Sequence, residues 1–135
     1  MKPPVTRRPR PMKITQEYGT ARYRIRAYQP GEVQINDQCH RNSLILGLES
    51  LITDWGPESL DELTAEHMEA VLSLAPEVII LGTGERQRFP SREIMLPLLR
   101  EGIGVEVMAN DAACRTYNIL MSEDRRVALA LILTD

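Results

Sequence analysis

Apolar positions divide the chain into two parts with different rhythms. Between Tyr18 and Asn36, Arg22, Arg24 and Arg26 alternate with Tyr23, Ile25 and Ala27. That period of two predicts a strand with one wet face, the arginines forming its solvated side. Pro30-Gly31 supplies a turn, and the returning segment puts Val33 and Ile35 on one face of a hairpin. Ser43–Leu48 is a third apolar strand. Trp55-Gly56-Pro57 then breaks the chain, and Ser59 with Glu62 fits a capping box. The helix it opens runs to about Leu74, with room for a break near Thr64. Leu63, Met68, Val71, Leu72 and Ala75 face the core, His67 is an ordinary boundary histidine, and Pro76 ends the element.

The second half repeats strand and helix. Glu77–Leu81 is a short continuous apolar run, as expected of a strand buried on both faces. Ser91 caps a helix to about Arg100, with Ile94, Met95, Leu98 and Leu99 inward and Pro97 predicting a kink or early end. Gly102 suits the left-handed position after it. Gly104–Met108 is the next strand, Asp111 caps a third helix, and Arg126–Leu133 closes as a strand. Alternating strands and helices predict parallel crossovers. The expected fold class is therefore α/β: a compact three-layer fold with a short, mainly parallel sheet, a second antiparallel sheet and about three helices.

Composition narrows the class without naming a reaction. The 135 residues, 43% hydrophobic and 26% charged, suit one globular domain over residues 14–135. No apolar run reaches the ~20 residues of a transmembrane helix. Two cysteines and two histidines make neither a disulfide framework nor a convincing zinc site. Charge is unevenly placed. Residues 1–13 hold Lys2, Arg7, Arg8, Arg10 and Lys13 with no acid, and four prolines that prevent a continuous helix. This basic, Pro-rich tail reads as flexible, and the net charge of −3 leaves the remainder acidic. An acidic body argues against a nucleic-acid partner. A contact between the tail and nucleic acid or an anionic membrane is the weakest of the functional readings. The free cysteines suit a reducing compartment, so the expected location is the cytoplasm.

Ligands of open α/β sheets bind beyond the carboxyl ends of parallel strands. That rule selects two loops, Gly82–Pro90 and Ala109–Asp111, which line one crevice if their strands are neighbours. Gly82, Thr83, Gly84 and Arg86 fit an anion site, since glycines allow close backbone approach and arginine pairs with phosphate. They equally fit a tight turn that needs glycine: Gln87 stands where the dinucleotide fingerprint has a third glycine, and no Gly-Lys-Ser/Thr is present. Counted from an Asp111 cap, Cys114 falls in the first helical turn, where backbone amides and Arg115 favour a thiolate. Neither histidine is near in sequence to serve as its base, and the alternative is a small packed residue beside Ala112 and Ala113. Tyr117 fills core with its hydroxyl near the rim. Asn118, if buried, must bond something such as the backbone of the glycine loop.

The segments EVIILGTGERQRFPS and GIGVEVMANDAACRTYNILMSEDRRVALALI resemble a family of small proteins of unknown function that includes mitochondrial complex I assembly factor 3. The resemblance rests on the Gly82-Thr83-Gly84 turn, the Ala113–Leu120 helix and the ending from Glu123 to Ile132. Asp124 stands where glycine is common in such sequences, and Ala109-Asn110-Asp111 replaces a threonine-containing turn. The resemblance implies a three-layer α/β fold with two sheets and no established enzymatic activity. With no base–nucleophile pair or metal set, the leading expectation is a non-enzymatic binding or assembly-type module with a protein partner. The alternative is a small anionic ligand, bound or turned over in the crevice between the glycine turn and the helix near Asp111. Its candidate residues are Gly82, Thr83, Gly84, Arg86, Arg115 and Asn118, with Cys114 catalytic only if reactive. No cofactor or metal is expected.

Overall fold

A computed structural model describes residues 23–133. The basic tail over residues 1–13 and the start of the hairpin at Tyr18 lie outside these residues. A small antiparallel sheet is built from β1 (Ile25–Gln29), β2 (Glu32–Ile35) and β3 (Gln38–His40). Gly31, at φ 76°, makes the first turn as expected. β3 carries no apolar alternation, which is why the pattern gives no sign of it.

β1 breaks the simple alternation. Ile25 lies opposite Ile35, but Ala27 lies opposite Gln34, so Arg26 is the extra residue of a β-bulge. Beyond it the inward position passes from Ala27 to Tyr28. Ala27, expected in the core, is exposed, and Tyr28 packs against the core instead. A period-two pattern cannot record an insertion that shifts its own phase.

The larger sheet has the order β5-β4-β8-β6-β7, with β4 at Leu44–Leu46, β5 at Leu51–Ile52, β6 at Val78–Gly82, β7 at Gly104–Met108 and β8 at Val127–Leu131. β6 runs parallel to both β7 and β8, while β4 and β5 join antiparallel. The α/β class with two sheets and three helices is thus the observed one, and its larger sheet is mixed. The helices are α1 (Ala65–Leu72), α2 (Arg92–Arg100) and α3 (Asn110–Ser122). One face of the sheet (Val78, Ile80, Leu129, Leu131) packs on Tyr117 and Met121 of α3 and on Ile25, Val33 and Ile35 of the small sheet. The other face (Ile79, Leu81, Ala128, Ala130) packs on Met68 and Val71 of α1 and Leu98 of α2. Burial on both faces is why β6 and β8 read as unbroken apolar runs.

Several boundaries differ from the expected ones. Ser59 opens only a 3-10 turn, Leu60–Glu62, and makes no side-chain cap. The capping box belongs to Thr64 and His67: Thr64 Oγ1 accepts from the His67 N–H at 3.2 Å, and His67 Nδ1 accepts from the Thr64 N–H at 3.0 Å. His67 also accepts at its carbonyl from Trp55 Nε1, 2.9 Å away, so it ties α1 to the preceding loop rather than standing idle at a boundary. Ala75 is exposed and left-handed (φ 53°), past the end of α1. In α2, Pro97 does not end the helix before Arg100, and Leu99 is 55% exposed rather than inward.

α2 and α3 finish in the same way. Gly102 (φ 72°) donates to Leu99 O and Ile103 to Leu98 O, the two bonds of a Schellman motif. At the end of α3, Asp124 (φ 63°) donates to Met121 O and Arg125 to Leu120 O. Asp124 therefore holds a conformation that glycine adopts without steric penalty. Asp124→Gly is expected to stabilise the fold by about 0.5–1 kcal/mol, net of the extra chain entropy glycine loses on folding. Urea unfolding checks this: the midpoint should rise with an unchanged slope.

Candidate functional site

β6 and β7 are neighbours, so the Gly82–Pro90 and Ala109–Asp111 loops do meet at one end of the sheet. Asn110 fills the junction between them. Its side chain is 1% exposed; Oδ1 accepts from the Gly84 N–H at 3.0 Å, and Nδ2 donates to Ile132 O at 2.8 Å and to the Tyr28 hydroxyl at 3.2 Å. Its own N–H donates to Gly84 O at 2.8 Å. Gly82 is needed for this approach, since a Cβ there would lie 2.5 Å from Asn110 Oδ1. Gly84 is needed for its backbone, φ 108°, with open space around it.

The turn's remaining polar groups are also engaged. The Thr83 N–H donates to Met108 O, and Thr83 Oγ1 donates to Arg86 O at 2.6 Å and accepts from the Arg88 N–H at 3.1 Å. Arg88 pairs with Asp61 at 2.9 Å, Arg86 is exposed, and the next helix begins only at Arg92. The amides of Thr83 and Gly84 thus face protein acceptors rather than a ligand space.

α3 begins two residues earlier than expected, with Ala109 as its N-cap; Asp111 lies inside the first turn, where its carboxylate accepts from the Ala112 N–H at 2.8 Å. Cys114 consequently falls in the second turn. It is buried, and its thiol is pushed up to about 12, by desolvation first and then by the Asp111 charge, against a smaller opposing effect of Arg115. Of the two readings of Cys114, the burial and the raised thiol favour a protonated, packed side chain over a thiolate. Asn118 bonds β1 instead of the glycine loop: Oδ1 accepts from the Ile25 N–H at 3.3 Å, and Nδ2 donates to Ile25 O at 2.8 Å. Tyr117 is fully buried, with its hydroxyl donating to Gly47 O at 3.2 Å rather than resting near a rim.

Between β1 and α3 lies a cleft of about 220 Å³ lined in part by Arg26, Tyr28, Asp111, Cys114, Arg115 and Asn118. It gathers Cys114, Arg115 and Asn118 and leaves Gly82, Thr83, Gly84 and Arg86 outside. Tyr28 links the two regions, since its hydroxyl donates to Glu85 Oε2 at 2.8 Å while accepting from Asn110. Among the described residues, no three of His, Cys, Asp and Glu gather as a metal-ligand set.

This whole arrangement falls within one family pattern. The model of a family described as protein of unknown function (DUF498/DUF598) matches residues 25–132, from the first strand to just beyond the last. The chain belongs to that family. Proteins similar to this chain carry different names. A 13 kDa major membrane protein of Francisella tularensis subsp. holarctica is 30% identical over 122 residues, 90% of this chain and 99% of that protein. NADH dehydrogenase (ubiquinone) 1 alpha subcomplex assembly factor 3 of Danio rerio is 33% identical over 123 residues, 90% of this chain and 70% of that protein. A solution structure from Xanthomonas campestris is 48% identical with a TM-score of 0.77, over 90% of this chain and 92% of the other. The resemblance to a family that includes assembly factor 3 is therefore shown. Among the described residues, no helix is long and apolar enough to cross a membrane.

Two residues central to this site escaped the sequence pattern. Tyr28 enters through the bulge, which has no signature in the alternation. Asn110 had a signal, a polar amide directly after a strand that borders a glycine turn, but Asp111 beside it looked like the cap. Burial also sets a pH dependence. Desolvation raises Cys114 from 9.0 to about 12, and it raises Tyr28 from 10.0 to about 12 with a smaller opposing hydrogen bond from Asn110. Tyr117 is raised by burial alone. Each folded group holds its proton more tightly than the unfolded one, so this contribution is complete below pH 9.0 and is lost as the pH climbs to about 12. Urea unfolding should show stability falling steadily over that window, with a shallower fall in Cys114→Ala. An equal fall in both proteins would remove Cys114 as a contributor.

Proposed function

We propose that this chain is a non-enzymatic binding or assembly-type module that acts by contact with another protein. The carrying observation is that the polar groups at the crevice mouth hold the fold: Asn110 and Thr83 spend their side chains on backbone partners and on Tyr28. A relative named as an assembly factor, matched over 70% of its length, supports a role in assembly with a protein partner. Exposed Phe89 (72%), Ile119 (57%) and Leu99 (55%) supply apolar contact area of the sort partner surfaces use. The free cysteines Cys39 and Cys114 support a reducing, cytoplasmic setting.

Purification of the tagged full chain from its own cells, followed by mass spectrometry, tests the reading. A reproducible partner that is lost with Phe89→Ser or Ile119→Ser supports it. A clean chain with no reproducible companion overturns it.

A further inference from the structure

We propose that the cleft between β1 and α3 binds a small organic anion between the guanidinium groups of Arg26 and Arg115. The bulge places the first of these. Arg26 is the residue without a cross-strand partner in the register of β1 and β2, and it lines the cleft. Bulges re-aim side chains in this way beside binding sites. No carboxylate among the described residues pairs with Arg26. The Arg115 contact to Asp111 is 3.7 Å long and exposed, an ion pair of little strength that a better acceptor can replace. Two arginines against the single carboxylate of Asp111 leave this cleft's lining net positive on a chain of net charge −3, a local exception that suits an anion.

The cleft's wall and floor narrow the ligand. Asn118 fastens both backbone groups of Ile25 to α3, so the spacing of the two sides is fixed before anything binds. Ile25, Ala27 and the protonated Cys114 give the cleft an uncharged part of its lining. The 220 Å³ volume falls below the ~300–1,000 Å³ of clefts that enclose drug-sized ligands. The fitting ligand is therefore a small carboxylate or phosphate monoester with a short apolar body, rather than a nucleotide.

The test is an NMR titration of the isotope-labelled full chain with sodium hexanoate and with phenyl phosphate, using 1-hexanol as the uncharged control. Either anion should shift the amides of Arg26, Ala27, Cys114 and Arg115 saturably, and 1-hexanol should not. Response to one anion alone identifies the headgroup. Arg26→Gln removes charged hydrogen bonds and should weaken binding about tenfold or more. Arg24→Gln, which alters an exposed arginine outside the lining, should bind as the parent does. Ala27→Leu narrows the cleft with both arginines kept and should also lose binding. Unsaturable shifts, saturable shifts elsewhere, equal effects of Arg24→Gln and Arg26→Gln, or full affinity in Ala27→Leu would each overturn the proposal.

Discussion

Asn110→Ala is expected to lower the unfolding free energy by about 3 kcal/mol or more, since each buried polar group left unsatisfied costs ~1–3 kcal/mol. The substitution strands the Gly84 N–H and the Ile132 carbonyl, both of which meet the amide in buried surroundings. Tyr28 loses one partner but keeps Glu85. Asn110→Asp is the sharper control. It retains an acceptor for Gly84 but sets a carboxylate oxygen against the Ile132 carbonyl, so it should be no more stable than the alanine variant. Urea unfolding gives the magnitude, and hydrogen exchange gives the location, with protection lost first at the Gly84 amide. A loss below ~1 kcal/mol would mean that water replaces the amide, and that Asn110 is a convenience of packing rather than the lock of the crevice.

The same residue shows what the sequence could and could not reveal. β6 and β8 were legible because burial on both faces leaves an unbroken apolar run, and the strand-end rule then located the crevice. Its chemistry was less legible, because two residues of helix boundary decide it. Counted from Asp111 as the cap, Cys114 lies among the free amides of the first turn. Counted from Ala109, the observed cap, it lies two positions further in, in the second turn, where desolvation outweighs the helix terminus and keeps the thiol protonated. The bulge at Arg26 is hidden for a related reason: it changes the phase of an alternation without changing its composition. Thr64 and His67 form a capping box without its usual glutamate, so the sequence signal pointed to Ser59 and Glu62 instead. Asn118 needed a partner, as expected of a half-buried amide, but only the fold says that the partner is β1.

Gly82→Ala is the second large effect expected, a destabilisation of about 2–3 kcal/mol from overpacking. The new methyl would lie 2.5 Å from Asn110 Oδ1, 2.7 Å from Leu131 Cδ1 and 3.3 Å from Ala113 Cβ. None of these neighbours retreats freely. Leu131 is fully buried, Ala113 belongs to α3, and Asn110 Oδ1 is held by the Gly84 N–H while Nδ2 of the same amide is held by Ile132. The closest obstacle is therefore the group that Asn110→Ala removes. Gly82→Ala and Asn110→Ala should then be less than additive: the double variant should be more stable than the sum of the single losses predicts, by about 1 kcal/mol, within the range found for residues in contact. Additivity to within ~0.5 kcal/mol would assign the clash to Leu131 and Ala113 instead. The glycine would then be required by the packing of β8 and α3, and the amide lock would be a separate device that happens to share its space.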